Sequence, residues 1–309
     1  MHGDTSVREL VGKDSRLYDR YVSNAADERG TNDAFREAQA EWERFLTHSH
    51  GDVFDGLDAG TTPKSLFVDA LYYDFVVDRL IECVERQCGV QVVNREASHN
   101  TDALAVEFRS LHESIVDTAA VDRRIEAALG GERLYTDAVF LRELYESVVS
   151  RGLRRQLGEY YTPNGVAELS VGELGVDDHE SETFLDPGCG SGVFLAACID
   201  AKLDALGDDR DPDELVELVT DTVYGIDLNP VAVKSAKLRY LLALGPVLED
   251  SGIARLELPV FLTDSLRLTR DDRIRFGGER LELCVDHLVG NPPWITWGAL
   301  SESVREAWR

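Results

Sequence analysis

Four short stretches place side chains where they could do chemistry. Residues 291–294 read Asn-Pro-Pro-Trp and follow a short apolar run. Two prolines fix the backbone there and remove two donors, so nearby carbonyls can accept from a bound amine. Asn291 adds a side-chain carbonyl, and Trp294 a flat face for a planar group. Such a set suits an exocyclic amine that must be held and made nucleophilic without a charged base; a strand terminator with a core Trp is the plainer reading. Residues 185–192 read LDPGCGSG. Gly188, Gly190 and Gly192 allow a tight turn and close approach of a ligand to the backbone. The helix behind them offers free N–H groups to an anion. No Gly-Lys-Ser/Thr follows, so this is not a phosphate-binding P-loop. Residues 224–230 read YGIDLNP, which puts Asp227 at a strand end, where a carboxylate can accept from both hydroxyls of a ribose. The same residue could cap the next helix, and the two roles are compatible. The fourth stretch, GEYYTP at 158–163, reads by itself as core packing before a helix that starts near Pro163.

The elements that position these residues follow from periodicity. Apolar runs at 183–186, 222–227, 259–263 and 284–289 predict four strands, with helices at 193–206 and 231–244. Strands alternating with helices argue for a parallel, doubly wound α/β sheet. Its ligands sit at the carboxyl ends of the strands, where the motifs fall. The acidic insert at 207–214, GDDRDPDE, reads as a solvated loop. Upstream, Leu66, Ala70, Tyr73, Val77, Leu80 and Val84 share one face of a helix that Pro63 begins, and residues 137–149 predict another. The stretch 49–62 and Gly130-Gly131 read as breaks. Residues 1–157 are therefore expected to be a mostly helical region, and 158–309 the sheet domain.

Composition bounds the rest. The chain has 309 residues, with 58 acidic against 32 basic side chains, a net charge of −26. Only five of the basic residues are lysines: Lys13, Lys64, Lys202, Lys234 and Lys237. Acid spread along the whole chain, with arginine kept and lysine lost, suits a protein in concentrated salt, where screening over ~3 Å at 1 M removes most self-repulsion. Five irregularly spaced cysteines give no zinc pattern, so no metal site is expected. No apolar run reaches the ~20 residues of a membrane span, and the first residues carry no signal-peptide pattern, which points to the cytoplasm. No Glu-x-Lys pairs with an upstream Asp as a nuclease would require, and Arg151, Arg154 and Arg155 either touch phosphate or sit at a helix C-terminus.

Together the four motifs resemble those of the adenine-specific DNA methyltransferases, in particular the large ones of restriction and phage-defence systems whose methyltransferase follows a helical region. The resemblance implies a Rossmann-like sheet, S-adenosyl-L-methionine as cofactor, and methylation of the exocyclic amine of adenine in double-stranded DNA. It implies that Tyr161, Thr162 and Pro163, with Gly188, Gly190 and Gly192, hold the methionine part of the cofactor. Asp186 then lies at the lip of the turn, Asp227 binds the ribose, and Asp264 lies near the cofactor's adenine. Asn291 and the carbonyl of Pro292 accept from the target amine, Pro293 completes the motif, and Trp294 stacks on the flipped base. The family's sheet normally continues into further strands and a target-recognition domain, for which the residues after Trp294 leave no room. A fragment, a truncated gene or a split enzyme is therefore expected, with a separate chain supplying what is missing. Two alternatives stay open: a protein glutamine methyltransferase, which also uses an NPP-aromatic motif, and a non-catalytic cofactor-binding remnant.

Overall fold

The computed structural model describes residues 6–50, 54, 60–94, 108–134, 144–145, 148, 162–207, 210–266, 268–269, 274–276, 279–281, 284–292 and 305. Among these, the front of the chain carries helices α1 (Val7–Val11), α2 (Arg16–Thr31), α3 (Asp33–His50), α4 (Pro63–Cys88), α5 (Arg109–Ile115) and α6 (Thr118–Leu129). The start of α4 is a capping box. The Thr62 hydroxyl accepts from the Ser65 N–H at 3.2 Å, the Ser65 hydroxyl accepts from the Thr62 N–H at 3.0 Å, and Pro63 stands where no donor is needed. The apolar stripe read from the sequence is too narrow for what α4 does. Phe67, Leu71, Tyr72, Phe75, Val76 and Ile81 are buried too, so the helix is enclosed on almost every side. It lies between α2, α3 and α6 and a later helix, α10 (Pro230–Asp250), and a helix with neighbours all round needs apolar residues all round.

The strands are β1 (Gln91–Val92), β2 (Phe184–Asp186), β3 (Val223–Asp227), β4 (Arg255–Leu256), β5 (Val260–Leu262), β6 (Ile274–Phe276), β7 (Glu279–Leu281) and β8 (His287–Leu288). The main sheet has the order β5-β3-β2-β8 and is parallel throughout. Later helices are α7 (Asn164–Gly172), α8 (Val193–Leu206), α9 (Pro212–Thr222) and α10 (Pro230–Asp250). Side-chain alternation divides the sheet. Phe184, Val223, Val260 and Leu262 join the core shared with the helices, whereas Leu185, Tyr224, Ile226 and Phe261 face the other way onto Ile274 of the β6–β7 hairpin. The first core is continuous from Val7 to Val289, so the front helices and the sheet are packed as one body. β1 pairs with β4, which ties the two regions together again.

The predicted loop at 207–214 is corrected: Asp211 caps α9 by accepting from the Asp213 N–H at 3.0 Å, and Pro212 opens the helix. Charge had masked an ordinary start signal. Most of the predicted helix at 137–149 lies outside the described residues, as do Arg151, Arg154 and Arg155. No helix among the described residues is long and apolar enough to cross a membrane. All five cysteines are free.

Candidate functional site

β2 is the first strand of the main sheet; the chain then adds β3 and β5 on one side before returning to place β8 on the other. The ends of β2 and β8 therefore flank a topological switch, the place where open parallel sheets bind ligands. Asp186 ends β2, Asp227 ends β3, Asp264 follows β5, and Asn291 follows β8.

Hydrogen bonds join these ends. The Gly190 N–H donates to Asp227 Oδ2 at 2.8 Å, and the Asn229 N–H to Asp227 Oδ1 at 2.8 Å. The Cys189 N–H donates to the Ile226 carbonyl at 2.9 Å, so the glycine-rich turn is laced to β3. The Thr263 N–H donates to the Asp227 carbonyl at 3.1 Å, which brings Asp264 beside it. Asp264 itself closes a turn by accepting from the Leu266 N–H at 3.1 Å. The helix cap after β3 is Asn229, which accepts from the Val231 N–H at 3.0 Å; Asp227 is not the cap. On the far side Asn291 Nδ2 donates to Thr162 Oγ1 at 3.3 Å, joining two motifs 129 residues apart. Pro163 heads α7, its carbonyl accepting from the Val166 N–H at 2.9 Å.

Burial shifts two of the carboxyls along this edge. Asp186 is 2% exposed, and burial pushes its pKa up to about 7. The Gly188 N–H, donating at 3.1 Å, opposes that rise, while the charge of Asp227 adds to it. Asp227 is also raised by burial, against the N–H groups of Asn229, Gly190 and Leu228.

Tyr161, Pro293 and Trp294 lie outside the described residues. Sequence reasoning missed two neighbours of the site. Gly290 sits at φ 141°, and a Cβ there would lie 2.5 Å from Asp186 Oδ1. Only glycine lets the chain pass over that carboxyl on its way to Asn291; a glycine abutting the motif was the available signal. Arg239, 4% exposed on α10, donates from Nε to the Ser191 carbonyl at 3.0 Å and so braces the glycine-rich turn. Nothing local in sequence marks it.

Residues 139–307 match the family described as N-6 DNA Methylase. The adenine-specific methyltransferase PglX of Streptomyces coelicolor is 29% identical, across 51% of this chain and 16% of that protein. The type II methyltransferase M.BstVI of Geobacillus stearothermophilus is 26% identical, across 52% of this chain and 29% of that one. The chain thus spans less than a third of either relative. A cryo-EM structure of a DrdV–DNA complex shares the fold, with a TM-score of 0.50 and 16% identity over 81% of this chain and 24% of that one. The family match takes in more than half of the chain and encloses all four motifs. The chain belongs to the N-6 DNA methylase family.

Proposed function

We propose that this chain transfers a methyl group from S-adenosyl-L-methionine to the exocyclic amine of adenine in double-stranded DNA, within a restriction-modification or related defence system in the cytoplasm. The observation that carries the reading is the meeting of Gly190 with Asp227 and of Asn291 with Thr162 along one sheet edge.

The residues present fit the cofactor. Space lies open beyond Gly190, where a Cβ would meet nothing within 4 Å. With three backbone N–H groups on its two oxygens, Asp227 keeps acceptor capacity for a ribose hydroxyl. When bound, the cofactor supplies an electrophilic methyl on a sulfonium. Thr162, Pro163, Tyr161, Gly188 and Gly192 would hold its methionine part, and Asp264 would lie near its adenine. Asn291, oriented by Thr162, and the Pro292 carbonyl would accept from the target amine. Pro293 would complete the motif, and Trp294 would stack on the flipped base. Catalysis would then rest mainly on positioning. Residues 1–157 would serve as a helical region ahead of the catalytic part, 158–309, and a separate chain could supply target recognition.

The decisive assay offers duplex DNA and protein to the chain with labelled cofactor, then digests the DNA to nucleosides. Label in N6-methyladenine is expected; label in protein glutamine instead would overturn the reading. Gly190→Asp should abolish cofactor binding. Gly190 has φ 52°, a conformation aspartate tolerates, so the fold should survive while the new side chain fills the space beyond the turn and sets its carboxylate near that of the cofactor's methionine part. Unchanged affinity in a calorimetric titration would remove the turn from the pocket.

Salt should matter as well. Lys202, Lys234 and Lys237 are at most 2% exposed, and Lys13 pairs with Asp69 at 3.1 Å, so lysine is almost gone from the surface. The fold is expected to lose cooperativity below a few hundred millimolar KCl, as unscreened acids repel one another. A thermal melt equally sharp in dilute buffer would contradict this.

A further inference from the structure

Helix α10 stands between two parts of the molecule. One side supports the glycine-rich turn: a Cβ on Gly192 would lie 3.0 Å from Ala236 Cα, so the turn rests directly on the helix backbone, and Arg239 holds the Ser191 carbonyl. The N-terminal end of α10 follows Asp227 and its cap, Asn229. The other side is gripped by α4. Lys234 Nζ donates to Asp74 Oδ2 at 2.8 Å and lies 3.7 Å from Asp78 Oδ1, with all three side chains at most 7% exposed. One residue on, the hydroxyls of Ser235 and Tyr73 are 3.0 Å apart. The Ser235 hydroxyl also lies 2.8 Å from the Val231 carbonyl.

Asp74 is itself fixed from behind. His112 Nε2 lies 2.9 Å from the same Oδ2, and a carboxylate can only accept, so Nε2 carries the proton. Nδ1 then accepts from the Tyr21 hydroxyl at 2.8 Å. Burial keeps the imidazole neutral, its pKa lowered, and this tautomer satisfies every partner. Burial alone would raise the Asp74 carboxyl, but Lys234 and His112 together hold it below the usual range. A chain with five lysines thus buries one of them in a pair between its front helices and the helix beneath the cofactor turn. A compact ammonium fits there, whereas the wider guanidinium used elsewhere in this chain does not match one carboxylate oxygen shared with an imidazole.

We propose that α4 is a positioning element of the cofactor site, with Asp74 and Lys234 as its positioning residues. Buried ion pairs contribute little net stability, and in some proteins they fix one packing among several. Here the pair, with Tyr73 and Ser235, sets the height and rotation of α10. Those settings place Asp227 and the Gly188–Gly192 turn relative to each other. The front helices would therefore govern cofactor affinity without touching the cofactor. The proposal rests on the cofactor reading given above.

Calorimetric titration with S-adenosyl-L-methionine, with thermal melts in parallel, tests it on the full chain. Wild-type protein that binds no cofactor would sink the cofactor reading itself, whatever the variants do. Tyr73→Phe removes one hydroxyl and should fold normally; its cofactor Kd is expected to rise about threefold, as one lost hydrogen bond allows, at an unchanged melting temperature. Lys234→Met leaves the buried Asp74 carboxylate without its cation, while Asp78 keeps Arg79, and should fold poorly. The double variant Asp74→Asn with Lys234→Met removes both charges of the pair but keeps a side-chain oxygen for the His112 N–H, and should restore folding. It is expected to melt near the wild type yet bind cofactor about tenfold more weakly, raising the cofactor KM in DNA methylation while kcat at saturating cofactor stays within about twofold. A folded double variant with wild-type affinity overturns the proposal. If that variant does not fold, wild-type affinity in Tyr73→Phe overturns it, and a raised Kd at unchanged melting temperature upholds it.

Discussion

Asn291→Ala is expected to cut methyl transfer about 100-fold or more, the loss of ~3 kcal/mol from one preorganised acceptor in a dry site. Cofactor affinity should barely move, because the glycine-rich turn and Asp227 are bonded to each other and not to Asn291. The variant also removes the 3.3 Å bond from Nδ2 to Thr162, so a control is needed for that contact. Thr162→Val breaks the same bond but leaves the Asn291 carbonyl in place. It should cost no more than about tenfold, the range of one ordinary hydrogen bond. Trp294→Ala should weaken capture of the flipped base by ~1–3 kcal/mol, one lost stacking partner. Melting temperature, cofactor affinity and turnover measured on the same three proteins separate the readings. If Asn291→Ala loses activity only in step with stability and cofactor affinity, the residue holds the loop and does no chemistry.

The parts of this arrangement that local patterns encode were legible in advance. Strand β2 ends at Asp186 and β3 at Asp227, as the apolar runs require, and α8 covers 193–206. A hydrophobic run followed by a glycine-rich turn leaves the chain little choice of where to stop. α10 runs six residues past its predicted end at 244, through Pro246, which forgoes one backbone bond where packing on α4 and α8 compensates. Other features were hidden because they exist only after packing. Lys234, Ser235 and Arg239 look like ordinary helix residues until α4 and the glycine-rich turn close on opposite sides of them. The hairpin of β6 and β7, which covers the second face of the sheet, was passed over although Gly277-Gly278 lies between its strands. A two-residue glycine link between short apolar segments is a hairpin signal, here diluted by neighbouring charge.

Asp186→Asn is expected to make the unliganded protein more stable at neutral pH and at the same time a poorer cofactor binder. The argument starts from burial. An ordinary aspartate ionises near ~3.9, but Asp186 in the folded chain holds its proton up to about 7. Below about pH 4 the carboxyl is protonated in both states and stability is unaffected. Between about 4 and 7 the unfolded chain has released this proton while the folded chain retains it, so stability falls as pH rises. Above about 7 both states are ionised and the full cost persists, up to about 4 kcal/mol for three pKa units. A buried carboxylate with one backbone donor, a neighbouring acid, and Gly290 passing over it is therefore a fault in the apo protein. It becomes an asset if a cation sits against it, and the cofactor carries an ammonium on the methionine part that the adjacent turn would hold. Such strained groups cluster where ligands complete them. Thermal melts of wild type and Asp186→Asn, at constant KCl from pH 5 to 8, check the first half: the wild type should lose ground to the variant up to about pH 7 and hold level above it. Cofactor titrations check the second half. Wild-type affinity should climb as pH rises towards about 7, by as much as tenfold per unit, because only the ionised carboxylate pairs with the ammonium. The variant should bind weakly at every pH. A structural aspartate would behave differently, its loss lowering stability and affinity together, and parallel melting profiles for the two proteins would rule out the assignment.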